Sequence, residues 1–114
     1  MRVLVVEDDA DASEMLVAEL LEAGHEVRAA FNVPAARRLA GTFDPDAVLI
    51  DLGLPVFDGN ELARHLRRGT ASPLLIAVTG TPERADEELF DAVLPKPLRG
   101  GELASALHDT DRAG

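Results

Sequence analysis

The stretch that decides the fold is residues 47–59, AVLIDLGLPVFDG. It begins as a short apolar run, ends on the carboxylate of Asp51, and then breaks into glycine and proline. Such a run is typical of a central strand in a parallel sheet, because these strands are buried on both faces. A charge at its end indicates that the backbone leaves the core there, so we expect Asp51 at the rim of the sheet.

On both sides of this stretch, similar apolar runs alternate with longer segments whose apolar residues recur at helical spacing. This alternation predicts an α/β fold, a parallel sheet with helices on both faces. The predicted strands span residues 2–6, 25–30, 47–50, 73–78 and 92–94.

Start and stop signals place five helices between and after these strands. The first follows Asp9, which we expect to cap it, and ends at Gly24. Its predicted buried face consists of Ala12, Met15, Leu16, Leu20 and Ala23. The second helix begins at Asn32, followed by Pro34, and ends near Gly41. The third spans 61–68 with Asp58 as its cap, and the fourth begins at Thr81 and ends by about Phe90. The fifth spans about 101–108.

Composition narrows the classes of function. A chain of 114 residues fits one compact domain. With 11 basic against 21 acidic residues, its net charge of -10 repels nucleic acid, so we expect no direct nucleic-acid contact. The absence of cysteine excludes disulfides and thiolate zinc sites. The opening MRVLVVEDD is too short and too acidic for a signal peptide or membrane span, so we expect a cytoplasmic location and no membrane partner.

Polar residues follow four of the predicted strands: Glu7 and Asp8, Asp51, Thr79, and Lys96. Ligands of open parallel sheets bind at the carboxyl ends of the strands, so we expect these residues to converge in one crevice. Three carboxylates this close would raise one another's pKa unless a cation neutralises them. Their oxygen chemistry suits Mg²⁺, and Gly53 could add a backbone carbonyl.

With a metal bound, a carboxylate such as Asp51 can attack a phosphoryl group. Lys96 would balance the transferred charge and the Thr79 hydroxyl would donate to a phosphoryl oxygen. Such an electrostatic cradle is what phosphoryl transfer mainly requires. Asp51, Thr79 and Lys96 are therefore the candidate catalytic residues, and Glu7, Asp8, Asp51 and Gly53 the candidate metal ligands.

Over nearly its whole length the chain resembles the receiver domain of two-component response regulators. Four motifs carry the resemblance: LVVEDD with Glu7 and Asp8, LIDLGLPVFDG with Asp51, VTG with Thr79, and LPKP with Lys96. In the family these are the acidic pair, the phospho-acceptor strand and loop, the switch hydroxyl, and the lysine before a proline that is commonly cis. Asp8 would then be the more direct metal ligand, and Pro55, Asp58 and Gly59 would shape the loop.

The resemblance implies a flavodoxin-like, doubly wound sheet with strand order 2-1-3-4-5. It also implies a Mg²⁺-dependent signalling domain that takes a phosphoryl group on Asp51 from a histidine kinase or phosphotransfer protein. Such a domain catalyses only its own phosphorylation and dephosphorylation and is not otherwise an enzyme. We expect residues 1–114 to form a single receiver domain without an output domain, acting on a downstream protein that the sequence does not name.

The chain departs from the family pattern in the output region. Val93 stands where receivers usually carry an aromatic residue, and the interval from Thr79 to Lys96 is several residues short. The fourth helix is therefore expected to be short, displaced or missing, and the output face atypical. Family members vary the side chain that orients the hydrolytic water at the position of Gly53, and glycine can orient nothing. We accordingly expect slow self-dephosphorylation.

Two other classes of function stay open. A pseudo-receiver would keep the fold as a phosphorylation-independent interaction scaffold, which the altered fourth-helix region favours. A phosphatase of the haloacid-dehalogenase type also uses an aspartate at a strand end, but it needs a second carboxylate where Gly53 stands. On the third helix, Arg64, Arg67 and Arg68 form a basic patch that we interpret as a solvated face.

Overall fold

A five-stranded parallel sheet forms the centre of the molecule in a computed structural model. The structure describes residues 1–53, 59–69, 72–99 and 101–113, the last five of these for their backbone only. The strands are β1 Arg2–Val6, β2 Glu26–Ala30, β3 Ala47–Asp51, β4 Leu74–Thr79 and β5 Ala92–Pro95. The α-helices in the described residues are α1 Ala10–Glu22, α2 Val33–Phe43, α3 Gly59–Arg67 and α4 Glu102–Ala113.

The strand order is β2-β1-β3-β4-β5, with every pair parallel, which confirms the predicted flavodoxin-like topology. All five residues of β3 are buried, as expected for a central strand. Alternate side chains feed two separate cores. One core packs Val48 and Ile50 against α2 and α3, and the other packs Leu49 against α1 and α4. Each fully buried leucine or isoleucine contributes roughly 1.5–3 kcal/mol over an exposed one.

Helix α1 begins where Asp9 caps it, as predicted. The Asp9 carboxylate accepts hydrogen bonds from the backbone N–H groups of Asp11 (2.9 Å) and Ala12 (3.3 Å). The prediction of its buried face was wrong at Met15, whose side chain is 74% exposed, and at Ala23, which is exposed and follows the last helical residue. The helix instead turns Ser13 and Leu20 inward, with Leu16 and Val17 packed beside the second core. These positions keep the helical spacing but lie about half a turn from Met15.

The other helices follow the predicted signals with shifted ends. Asn32 caps α2 by accepting a hydrogen bond from Ala35 N–H (2.8 Å). This helix continues past Gly41 to Phe43, where Asp44 takes the left-handed conformation with φ 52°. Helix α4 runs five residues beyond the predicted end at His108. The predicted cap of α3, Asp58, and the loop residue Pro55 lie outside the described residues.

The connection from β4 to β5 contains a single 3₁₀ turn, Pro82–Arg84, in place of a fourth α-helix. The expectation of a short or missing helix is thus confirmed, although the predicted cap at Thr81 was wrong because its side chain makes no capping hydrogen bond. We call residues 81–91 the strap. None of the helices in the described parts of the chain is long and apolar enough to cross a membrane.

Candidate functional site

Three charged side chains meet where β1, β3 and β5 end. Glu7 follows β1, Asp51 is the last residue of β3, and Lys96 follows β5. The Lys96 ammonium lies 2.8 Å from Asp51 Oδ2 and 3.6 Å from Glu7 Oε1. Glu7 is 2% exposed and Asp51 6% exposed. The crevice therefore holds two buried carboxylates against one partly exposed ammonium group.

Gly53 completes the contacts of Asp51. Its backbone N–H donates a hydrogen bond of 2.8 Å to Asp51 Oδ1. A Cβ atom at Gly53 would lie 3.2 Å from the same oxygen, which is tighter than an ordinary van der Waals contact. A glycine at this position thus lets the chain fold back closely over the carboxylate without crowding it.

Glu7 carries an unsatisfied oxygen. Its Oε2 is buried and has no hydrogen-bond partner within the described residues. Burial, together with the neighbouring Asp51 carboxylate, raises the pKa of Glu7 to about 8. A buried polar atom without a partner is costly, so this oxygen favours either a proton or a cation at the site.

Asp51 and Lys96 support each other's charged forms. Burial by itself would raise the pKa of Asp51, but hydrogen bonds with Glu7, Lys96 and Gly53 hold that pKa below its usual value. Burial would lower the pKa of Lys96, and the hydrogen bond and attraction to Asp51 raise it instead. Asp51 is therefore ionised at neutral pH, as a nucleophile toward a phosphoryl group must be.

The donor set fits Mg²⁺. The unpartnered oxygen of Glu7 and the carboxylate of Asp51 are hard oxygen ligands, and Mg²⁺ usually takes only one or two protein carboxylates and keeps its waters. The expectation that three carboxylates gather here was wrong for the described residues, in which no group of three acidic or histidine side chains could hold a metal. Asp8 is exposed, and its charge adds to the repulsion that raises the pKa of Glu7.

Thr79 lies at the end of β4 and is fully buried. Its carbonyl accepts a hydrogen bond of 2.8 Å from Lys96 N–H, which ties it to the residue that carries the ammonium group. Its hydroxyl accepts a bond of 3.0 Å from Thr81 N–H and lies 3.2 Å from the Thr81 hydroxyl. The hydroxyl is therefore engaged with the start of the strap, while the backbone of Thr79 contacts that of Lys96.

The strand ends thus bring Glu7, Asp51 and Lys96 into direct contact, place Thr79 beside them, and leave Asp8 in solvent. The Lys96–Pro97 peptide bond is cis, as the resemblance implied. Sequence reasoning missed the engagement of Thr79 by Thr81. The only available signal was that Thr81 stands two positions after Thr79, just beyond the strand.

Comparison with known proteins agrees with this geometry. A family model described as the response regulator receiver domain matches residues 3–108. A response regulator receiver protein of Anaeromyxobacter sp. (strain Fw109-5) is 38% identical over 102 residues, covering 85% of this chain and 43% of its own length. The probable transcriptional regulatory protein SilR of Salmonella typhimurium is 36% identical over 119 residues, covering 100% of this chain and 52% of its own. The chain spans about half the length of these curated relatives.

Solved structures share the fold over nearly the whole chain. A CheY-like response regulator receiver domain from Methylobacillus flagellatus is 31% identical, with a TM-score of 0.86 and coverage of 96% of this chain and 97% of its own. The response regulator protein TrrA of Thermotoga maritima, solved in complex with Mg²⁺-BeF, is 26% identical, with a TM-score of 0.85 and coverage of 95% and 96%. Sequence, fold and strand-end geometry agree, and the chain belongs to the receiver-domain family of two-component response regulators.

Proposed function

We propose that this domain accepts a phosphoryl group on Asp51, in a Mg²⁺-dependent step, from a histidine kinase or phosphotransfer protein. The observation that carries the proposal is the unsatisfied buried oxygen in the crevice. The buried carboxyl groups of Glu7 and Asp51 face a single ammonium group, and among the described residues one oxygen of Glu7 has no hydrogen-bond partner. A site intended only for stability would satisfy that oxygen, whereas a site for a cation and a phosphoryl group leaves it free.

In the proposed step an Asp51 carboxylate oxygen attacks the phosphorus atom. The new oxygen–phosphorus bond forms as the bond between phosphorus and the donor histidine nitrogen breaks, and that nitrogen leaves with the electron pair. Lys96, already 2.8 Å from Asp51, would balance the charge of the acyl phosphate. The Thr79 hydroxyl would exchange its contact with Thr81 for a phosphoryl oxygen.

Glu7, Asp51, an inward-turned Asp8 and the backbone carbonyl of Gly53 are the proposed ligands of Mg²⁺. When bound, the metal would supply charge neutralisation for the phosphoryl oxygens. The Thermotoga maritima neighbour was solved with Mg²⁺-BeF, which supports this assignment. Since Gly53 has no side chain to orient water, we also expect phosphorylated Asp51 to persist rather than decay within seconds once the donor is removed.

We further propose that residues 1–114 act as a single receiver domain whose output is a contact with a downstream protein. The strap replaces the α-helix expected between β4 and β5, so this contact uses an atypical face. The net charge of -10 makes a direct contact with nucleic acid unfavourable.

Intact mass after incubation with acetyl phosphate tests the central step. The wild type is compared with Asp51→Asn, each with Mg²⁺ and with a chelator, and Asp11→Asn serves as an exposed matched control. One added phosphoryl group on the wild type and the control, lost in Asp51→Asn and in chelator, is the expected result. An adduct that survives in Asp51→Asn would contradict the proposal.

The strap, which stands where an α-helix between β4 and β5 was expected, favours one alternative. This is a pseudo-receiver that serves as a phosphorylation-independent scaffold. It predicts no adduct and no Mg²⁺ binding by a protein whose fold is intact. Calorimetric titration with Mg²⁺, compared between the wild type and Glu7→Gln, separates the two. Binding that Glu7→Gln weakens supports phosphoryl transfer, and no binding in either supports the scaffold.

A further inference from the structure

A cavity of about 210 Å³ lies between α2 and α3, at the opposite end of the sheet from the crevice. It is lined by the last parts of both helices and by Pro45 and Pro73, which stand just before β3 and β4. The crevice lies at the carboxyl ends of these strands, on the order of 15 Å away along β3. The cavity is therefore separate from the crevice, and what it binds does not depend on phosphoryl transfer.

The floor of the cavity is apolar. Leu66 is 8% exposed, Pro45 is buried, and Ala40 and Pro73 are half-buried. Typical small-molecule sites occupy roughly 300–1,000 Å³ and combine such apolar walls with a few well-placed polar groups. The smaller volume of this cavity admits only a small ligand, and its floor favours one with a short aliphatic group.

Three side chains that can carry charge line the exposed rim. Arg37 and Asp44 stand seven positions apart, at the two ends of one stripe that runs along α2 to its cap, and His65 lies on α3. None of the three forms an ion pair with any other residue that the structure describes, although Arg37 and Asp44 line the same cavity. The cavity therefore holds opposite charges apart across its opening.

The signs of these groups decide the class of ligand. Arg37 is positive, Asp44 is negative, and His65 has an N–H donor in either neutral tautomer. A ligand that carried only negative charge would be repelled by Asp44, and one that carried only positive charge would be repelled by Arg37. A ligand with both charges offers Arg37 and Asp44 each an opposite charge, so the rim is complementary to a zwitterion.

The ends of the two helices strengthen the negative part of the rim. Helix α2 ends at Phe43 and α3 at Arg67, so the negative ends of both helix dipoles lie at this cavity. Helix α2 has no basic residue in its last turn, and Asp44 adds a carboxylate at the same end. An ammonium group beside Asp44 would be stabilised by this carboxylate and by the dipole of α2 together.

We propose that the cavity binds a small zwitterionic α-amino acid with an aliphatic side chain. Arg37 and the N–H group of His65 hold its carboxylate, and Asp44 at the end of α2 holds its ammonium group. The aliphatic side chain packs against Leu66 and the apolar floor. The domain thus has a second binding site, for a free amino acid, at the end of the sheet away from Asp51.

A series of ligands tests each of these contacts. L-Leucine is titrated into the wild type, and NMR follows the backbone amides of Gly41, Asp44 and Gly69 against Gly101, which lies outside the cavity. We expect saturable shifts with a dissociation constant on the order of 1 mM.

Three analogues each remove one contact. N-acetyl-L-leucine lacks the ammonium group, L-leucinamide lacks the carboxylate, and glycine lacks the aliphatic side chain. Each should bind roughly tenfold more weakly than L-leucine. No saturable shift with L-leucine, or an analogue that binds as tightly as L-leucine, would overturn the inference.

Matched variants test the location. Arg37→Ala and Asp44→Asn should each weaken the binding of L-leucine by roughly tenfold. Asparagine is chosen because, like aspartate, it tolerates the left-handed backbone of Asp44. Arg38→Ala changes an exposed neighbour that does not line the cavity, and it should bind as the wild type does. Equal binding by Arg37→Ala and Arg38→Ala would overturn the inference.

A variant that fills the cavity gives an independent test. A Cβ atom at Gly41 would meet nothing within 4 Å, and leucine is a better helix former than glycine, so Gly41→Leu should fold. We expect this variant to lose the binding of L-leucine while its circular dichroism spectrum stays that of the wild type. Binding of L-leucine by Gly41→Leu with wild-type affinity would place the ligand elsewhere and overturn the inference.

Discussion

Two basic side chains each hold separate segments of this molecule together, and they do so in opposite ways. Lys96 faces two buried carboxyl groups with a single ammonium group and leaves one oxygen of Glu7 without a partner in the described part of the chain. Arg67 distributes its donors over Leu89 C=O, the Ser72 hydroxyl and the Asp91 carboxylate. The first contact is unbalanced in hydrogen bonds, and the second is balanced.

The difference follows from side-chain chemistry. Lysine presents a compact point charge that can be shared among changing partners, whereas the planar fork of arginine suits a fixed set of acceptors. An unbalanced buried site costs stability and gains affinity for whatever balances it. A balanced contact stabilises the fold and has little to gain from a ligand. We therefore expect the crevice to respond strongly to pH and metal, and the α3–strap contact to respond mainly to mutation.

The largest expected effect is a pH-dependent loss of stability caused by Glu7. Because the folded pKa is raised to about 8, stability from this group is full below its unfolded pKa and is lost as pH rises through the folded one. Between about pH 5 and about pH 9 the metal-free wild type should lose on the order of 4 kcal/mol relative to Glu7→Gln, at about 1.4 kcal/mol per pKa unit. Urea unfolding across this range measures the difference.

Glu14→Gln, an exposed carboxylate on α1, is the control and should keep the wild-type slope. Saturating Mg²⁺ should reduce the pH dependence of the free energy of unfolding in the wild type. It should change this pH dependence less in Glu7→Gln. If the free energy of unfolding depends on pH equally in the wild type and Glu7→Gln, the hydrogen bonds of the crevice are as balanced as those of the Arg67 contact.

The next effect is on the arginine contact. Arg67→Ala removes donors to three acceptors and leaves Asp91 without its cation, so we expect a loss of about 1–3 kcal/mol in the free energy of unfolding. Its neighbour Arg68 is exposed, and Arg68→Ala should stay within about 0.5 kcal/mol of the wild type. The urea unfolding midpoints of Arg67→Ala and Arg68→Ala measure this difference. Equal losses of unfolding free energy in the two variants would refute a specific role for Arg67.

A smaller effect is expected at Gly53. Gly53→Ala would place a Cβ atom 3.2 Å from Asp51 Oδ1, so the carboxylate must shift by a few tenths of an ångström. Small displacements of a reacting group slow chemistry, and we expect several-fold slower formation of the acetyl-phosphate adduct. Gly41→Ala on α2, where a Cβ would meet nothing within 4 Å, is the matched control. Identical rates of adduct formation in Gly53→Ala and Gly41→Ala would contradict the crowding of Asp51 by the added Cβ atom.

The smallest effect concerns His25, which lies 3.1 Å from the N-terminal amine. Burial and the charge of that amine lower the pKa of His25 below its usual value. A lowered folded pKa gives stability that is present above the unfolded pKa and is lost as pH falls through the folded one. Its slope is opposite to that of Glu7, so His25→Gln should slightly reduce acid sensitivity without changing the alkaline loss. A change on the alkaline side would contradict this separation.

Much of the fold and the crevice could be predicted because short patterns in the sequence mark the strands and their ends, and parallel pairing then fixes where those ends meet. Apolar runs that end in polar residues located Asp51, Thr79 and Lys96, and parallel pairing then brings those ends to one edge. The burial of Met15 was predicted wrongly, since several helical faces of α1 contain apolar residues and only packing selects among them. The three arginines of α3 looked alike in sequence, yet Arg67 is tied to three partners and Arg68 is exposed.

Periodicity and the polar residues at the strand ends thus predicted the parallel α/β sheet and the crevice from the chain itself. The strand order and the shortened helix between β4 and β5 were predicted from the resemblance to the receiver family, the helix through the length of one interval. Tertiary structure alone decided that Lys96 lies between Glu7 and Asp51, that an oxygen of Glu7 lacks a partner within the residues that the structure describes, and that the strap is bound along α3. The physical reason is that desolvation and hydrogen-bond geometry depend on which distant residues meet, and no local pattern encodes those distances.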